Sequence, residues 1–288
     1  MQELTLRIGG IERVAYQFNA QNNISQKPYI LALHGAGGHP LLFRRVSEID
    51  HAASRFANVL FLAAERHGRL YRWNWRQLDD QDFLFAVIEG LAQKGVKTED
   101  IYIIGMSNGG CLAHLFAATC GLQLGGIGSV CSAMPVYDEA LWGNDRKASY
   151  PHKVFLANAL YDPIMPYVGG QTQGDMTHDI LSFKETVEYW KLRLNGRQTS
   201  PATSSLAAQI LPLVSVQCQY FTSEHSNHAL LSLTSSGAKH CWDLIEHCPD
   251  NKRTMQRVGR RWAAAQGKLQ SSTLPRITEM IVHFMFND

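Results

Sequence analysis

The stretch Ile101-Tyr-Ile-Ile-Gly-Met-Ser-Asn-Gly-Gly-Cys-Leu-Ala113 constrains the fold of this chain more than any other. Its first four residues are a β-branched and aromatic run, the pattern of a strand buried on both faces. The residues after Gly110 are apolar and helix-compatible. Between them, Gly105-Met106-Ser107-Asn108-Gly109 fits G-x-S-x-G, whose glycines allow a sharp strand-to-helix turn. A turn of that kind pushes the Ser107 hydroxyl out at the C-terminal edge of a sheet. The five-residue pattern recurs by chance, and a tight turn with an ordinary serine is the alternative. The strand before it and the helix after it favour the nucleophile.

Similar apolar runs recur along the chain. Residues 29–33, 58–62, 127–131, 153–157 and 229–233 read as strands, and residues 215–221 alternate as another. Helical patterns lie at 42–56, from Asp79 to just before Gly95, at 181–194 and at 273–286. Residues 5–8 and 13–18 form an opening hairpin around Gly9-Gly10. Asp79 is expected to cap its helix, with Asp80 and Asp82 favourably placed in the first turn. Strands alternating with helices predict an α/β fold with a mostly parallel central sheet covered on both faces. Residues 197–208 read as a long surface loop. Residues 249–272 read as an insertion whose arginines and lysine line one solvated helix face. With no repeat or linker, residues 1–288 read as a single domain.

Composition narrows the function. The chain is 45% hydrophobic and 18% charged, which describes a soluble globular protein with a sizeable core. Its net charge of +2 argues against nucleic-acid or anionic-membrane partners. No apolar run approaches the roughly 20 residues that a membrane span needs. The N-terminus opens directly on an alternating pattern without leader character. The expectation is therefore cytoplasmic, or secreted or periplasmic if a leader has been removed. Cys111, Cys120 and Cys131 read as core thiols. Cys241 and Cys248 flank a short segment and are the candidate disulfide. His240 and His247 repeat their spacing, but no common zinc pattern fits, so neither metal nor cofactor is expected.

A serine hydroxyl becomes a good nucleophile when an imidazole takes its proton and a carboxylate holds that imidazole. In a strand–elbow–helix fold the chain order is Ser, then the acid, then His. Asp162, in Leu160-Tyr-Asp-Pro-Ile-Met-Pro, follows a predicted strand and is the first candidate acid. Asp-Pro also starts turns, so a purely structural role is its alternative. Asp138, after the preceding strand, and Asp175, in a polar loop, are the others. His240 follows the final predicted strand, with His247 its nearest competitor. His225 and His228 precede that strand, and His283 faces off the closing helix. For the oxyanion, the backbone N–H of Asn108 is expected to work with one from His34-Gly-Ala-Gly-Gly38, Ala36 first and Gly37 next. His34 reads as an anchor for that loop.

Several segments, in order, resemble the polyhydroxybutyrate depolymerase and feruloyl esterase (carbohydrate esterase family one-like) group of α/β-hydrolases. They are Leu33-His-Gly-Ala-Gly-Gly38, Trp73-Asn-Trp75 with Asp79-Asp80, Gly105-Met-Ser-Asn-Gly-Gly110, Asp162-Pro-Ile-Met-Pro-Tyr-Val-Gly-Gly170, Lys239-His-Cys-Trp242 and the closing 277–286. The resemblance implies an α/β-hydrolase fold and a carboxylic ester hydrolase with Ser107, Asp162 and His240 as triad. The chain departs from that group in Gly237-Ala-Lys-His-Cys-Trp-Asp243, in Tyr161 before the acid and in the length of 249–272. Trp73, Trp75, Tyr161, Tyr167 and Trp242 are candidate substrate contacts, with packing over loop bases as their alternative. The expected partner is a small or oligomeric ester, feruloyl, acetyl or hydroxyalkanoate. A serine peptidase and a non-catalytic binding protein are the rival readings.

Overall fold

Each central strand sends alternate side chains to opposite faces, and the computed structural model shows two cores that follow this parity. It describes residues 1–18, 27–67, 70–74, 79–136, 149–173, 178–195, 202–211, 214–223, 227–236, 240, 242 and 277–287. The strands are β1 (Gln2–Ile8), β2 (Ile11–Phe18), β3 (Tyr29–Leu33), β4 (Asn58–Leu62), β5 (Glu65–His67), β6 (Leu70–Arg72) and β7 (Ile101–Met106). After them come β8 (Gly126–Val130), β9 (Lys153–Ala159), β10 (Gly170–Gln171), β11 (Asp179–Ile180), β12 (Ala202–Leu211), β13 (Val214–Thr222) and β14 (Ala229–Ser235). The helices are α1 (Pro40–Ser47), α2 (Ile49–Ala52), α3 (Asp79–Ala92), α4 (Asn108–Thr119), α5 (Phe183–Asn195) and α6 (Ile277–Phe286).

Ten strands form the main sheet, in the order β1-β2-β4-β3-β7-β8-β9-β14-β13-β12. From β4 to β14 every neighbouring pair is parallel, and antiparallel pairs close both edges. Leu31, Leu33, Ile101, Ile103 and Leu156 pack with α3, α4 and α5 on one face. Ile30, Ala32, Ile104, Phe155 and Leu231 pack with α1, α2 and α6 on the other. Both faces being apolar, the central strands read as continuous hydrophobic runs. From β3 the chain winds one way to β4 and then crosses back to β7. That reversal opens a crevice at the C-terminal ends of β3 and β7, where ligands settle in open α/β sheets.

Several local expectations are corrected. The helical stretch 42–56 is broken: Glu48 turns left-handed (φ 50) and its N–H bonds Arg44 O, closing α1 before α2 begins. Residues 197–208 are not all loop, because β12 starts at Ala202 and pairs antiparallel with β13. The short ribbons β5–β6 and β10–β11 were not expected. Asp79 is the first residue of α3 and not its cap, whereas Asp80 and Asp82 do fall in the first turn, where Asp80 is also the buried ion-pair partner of Arg13. The insertion 249–272 lies outside the described residues.

Candidate active site

The turn between β7 and α4 is set by backbone contacts closer than a methyl group permits. A Cβ on Gly105 would sit 2.3 Å from Gly109 O, and one on Gly109 only 2.5 Å from Leu33 O. Helix α4 therefore approaches β3 and β7 only through glycines. Ser107 takes φ 53 and ψ −122, a conformation costly for a residue with a Cβ. Its N–H holds Val130 O at 2.9 Å, tying the turn to β8.

His240 and Asp162 converge on this serine from other loops. Ser107 Oγ lies 2.8 Å from His240 Nε2, and His240 Nδ1 lies 2.8 Å from Asp162 Oδ2. The Asp162 side chain is fully buried, whereas His240 keeps a small exposed edge. Asp162 Oδ1 accepts the N–H groups of Ile164 and Met165 at 2.8 and 2.9 Å. One carboxylate oxygen thus builds the Asp-Pro turn and the other holds the imidazole. In this arrangement Nδ1–H donates to the carboxylate and Nε2 is left to accept the serine proton.

The two residues expected to supply oxyanion N–H groups, Asn108 and Ala36, line the same pocket. Asn108 opens α4, where the helical ladder supplies no acceptor for its N–H. Ala36 lines the same pocket as Ser107 and Asn108. Gly37, the other candidate, donates its N–H to Tyr71 O at 2.8 Å and is committed elsewhere.

A buried brace fixes these donors. Trp73 N–H donates to Asn108 Oδ1 at 2.7 Å, and Asn108 Nδ2 returns a bond to Trp73 O at 3.1 Å. The Trp73 indole N–H donates to His34 O at 2.8 Å. His34 Nε2 accepts Ala64 N–H at 3.2 Å, so Nδ1 carries the proton and donates to Gly35 O at 2.8 Å. Burial pushes the His34 pKa down to about 4, keeping the ring neutral. Behind Trp73, Asp80 accepts from the Arg13 guanidinium and from Asn74 N–H. Arg13 also lies over the Phe83 ring at 4.4 Å. Burial raises the Asp80 pKa, against the opposing pull of Arg13.

The pocket above Ser107 has a volume of about 240 Å³. Leu70, Cys111, Ile164 and Met165 give it apolar surface, and Arg72, Thr172, Gln173 and His178 give it polar groups. Burial raises the Cys111 thiol pKa to about 11, so Cys111 stays a neutral thiol in the wall. Cys131 brings its Sγ within 4.8 Å of ligating atoms of Asp162 and His240, the one such group of three among the described residues. Both nitrogens of His240 are taken by Ser107 and Asp162.

The aromatic candidates fare differently. Trp73 is 0% exposed and packs in the brace, so it is not a substrate contact. Trp242 is 1% exposed; its indole N–H donates to Thr278 Oγ1 and its ring meets Phe43 edge-on in the core beneath the sheet. Tyr161 is 70% exposed and absent from the pocket lining. Tyr167 packs on Phe183 and also stays out of the lining. Trp75, Asp138, Asp175, His225, His247, Cys241 and Cys248 lie outside the described residues. The wall residues Arg72, Met165, Gln173 and His178 were missed. The Gly68-Arg69 step between β5 and β6 was the available hairpin signal for Arg72.

Neither a protein-family model nor a curated protein sequence matches the chain. Solved structures do resemble it. An acetyl xylan esterase from Aspergillus awamori aligns over 90% of this chain and 99% of its own, with a TM-score of 0.56 at 12% identity. A phospholipase/carboxylesterase from Dyadobacter fermentans covers 84% and 94%, with a TM-score of 0.46 at 13% identity. A carboxylesterase from Bacillus cereus covers 63% and 79%, with a TM-score of 0.40 at 19% identity. With the sheet order and the elbow, the first of these likenesses makes the fold that of an α/β-hydrolase.

Proposed function

We propose that the protein is a metal-independent serine carboxylic ester hydrolase that works through an acyl-enzyme. One observation carries this reading: an unbroken hydrogen-bond chain from Asp162 through His240 to Ser107, ending at the floor of a pocket. His240 Nε2 takes the Ser107 proton as Oγ attacks the ester carbonyl carbon. The N–H groups of Asn108 and Ala36 receive the oxyanion. The imidazolium, held by Asp162, then returns its proton to the departing alcohol. Water, activated by the same imidazole, releases the acid and restores Ser107.

The pocket falls below the roughly 300–1,000 Å³ of a drug-sized site and suits a short acyl group. Acetyl and hydroxyalkanoyl esters therefore come before feruloyl esters in our reading. This orders substrates within the depolymerase and feruloyl esterase group that the motifs resemble. We propose further that residues 1–288 act as one domain, without cofactor or nucleic-acid partner.

The test is a panel of acetyl, hydroxybutyryl and feruloyl esters with peptide amides beside them, run on the wild type and on Ser107→Ala. Hydrolysis of the short esters, lost in Ser107→Ala, is expected. Cleavage of amides alone would make the protein a peptidase, and inertness of the folded wild type towards the whole panel would leave a binding protein.

A further inference from the structure

One charge in the pocket wall has no task in the acyl-transfer chemistry. Arg72 ends β6, is half-buried, and lines the same cavity as Ser107 and His240. Elsewhere in the protein Arg13 is paired with Asp80 and Arg44 with Asp50. Among the described residues no carboxylate reaches the Arg72 guanidinium, not even Glu65 directly across the ribbon. Among the described residues no carboxylate lines the cavity either. A concave, partly apolar site whose described lining holds an arginine and no carboxylate attracts anions. The guanidinium presents a planar fork of donors that matches a carboxylate in a way a point charge does not.

We propose that Arg72 selects esters that carry a carboxylate on the acyl or the alcohol part, so that this enzyme prefers acidic esters over neutral ones. The inference rests on the serine esterase reading and names its substrate class. Arg72 acts here by binding the substrate's own charge, not by stabilising the oxyanion. An oxyanion role would favour every ester equally, and selection favours only the acidic ones.

Two matched pairs separate the possible positions of the carboxylate. Monomethyl glutarate against methyl pentanoate places it on the acyl side, and 3-acetoxybenzoate against phenyl acetate places it on the alcohol. The readout is the ratio of kcat/KM, acidic over neutral, in wild type, Arg72→Lys and Arg72→Gln, each checked for an unchanged melt. In at least one pair the wild-type ratio is expected to exceed one. It should fall about tenfold in Arg72→Gln, mostly through KM, with Arg72→Lys between them. Added salt should lower the ratio in the wild type and not in Arg72→Gln. A ratio unmoved by Arg72→Gln in both pairs, or an equal loss on acidic and neutral esters, overturns the proposal. Should the wild type hydrolyse none of the four, the esterase reading fails with it. Turnover of neutral esters with no Arg72-dependent ratio removes only the selectivity.

Discussion

The floor of the site and its wall are built by different means. The floor, from Gly105 to Gly110 with His34, Trp73 and Asn108, is buried and cross-bonded, and its backbones touch at distances that exclude a Cβ. The wall is made of side chains on the short ribbon β5–β6 and on the segment from Ile164 to Gln173, with His178 and with Cys111 of α4. A floor of this kind fixes where Ser107 and Asn108, the proposed nucleophile and oxyanion donor, stand. The wall can change residue by residue without moving the floor. The proposed function puts the chemistry in the first region and the selectivity in the second.

The largest break in that contrast comes from the reacting groups themselves. Ser107→Ala and His240→Ala are each expected to lower kcat on the order of 10⁶-fold, by analogy with a serine protease whose groups act as one unit. Asp162→Asn is expected to cost about 10⁴-fold, because tautomer control is lost while nucleophile and base remain. Steady-state kinetics on a short acetyl ester measures all three. An Asp162→Asn variant as active as wild type would move the acid to another residue.

Next is the brace beneath the floor. Asp80→Ala leaves the Arg13 guanidinium buried without its partner and frees Asn74 N–H. Loss of one member of a buried pair costs about 3–5 kcal/mol, read here by urea unfolding. If the loss stays below about 1 kcal/mol, the brace does not support the floor.

Acid should weaken the fold as well, through His34 in the floor and His114 within α4. Burial lowers the His34 pKa to about 4 and the His114 pKa to about 3, so both rings are neutral when folded. The unfolded chain takes up their protons as pH falls through about 6.5, and the folded chain does so only near the lowered values. Stability should therefore be full above pH 7 and decline on acidification. The loss is roughly 2 kcal/mol per ring at pH 5. Equal unfolding free energies at pH 7.5 and pH 5 would show that these rings are not held neutral.

The smallest effect belongs to the exposed rim. Tyr161→Ala is expected to change kcat/KM on short esters by less than about twofold, because the ring points to solvent. A tenfold loss would return Tyr161 to the substrate site.

The same contrast explains what the sequence made legible. Strand parity and the elbow were readable because both follow from local rules, period-two burial and glycine-only contact. Asp162 reads as either a turn former or a catalytic acid, and its oxygens divide between the two settings, Oδ1 with the turn N–H groups and Oδ2 with His240. Trp73 and Trp242 read as candidate substrate contacts, with packing as the alternative, because an aromatic in a polar loop looks exposed, and packing is the outcome. Each is buried by partners distant in sequence, Asn108 and His34 for one, Thr278 and Phe43 for the other. The Arg13–Asp80 pair links residues 67 apart, and no local pattern carries it. Strand β12 was missed because its Thr-Ser-Ser stretch pairs with β13 and lacks a strong apolar rhythm of its own.

The central claim is that Ser107 is a nucleophile activated by His240. Intact-mass analysis after treatment with a fluorophosphonate probe, followed by peptide mapping, tests it most directly. A single adduct on Ser107 is expected, absent from Ser107→Ala and formed at least about 10³-fold more slowly in His240→Ala. An unmodified, folded wild-type protein, or an adduct mapped to any other residue, would contradict it.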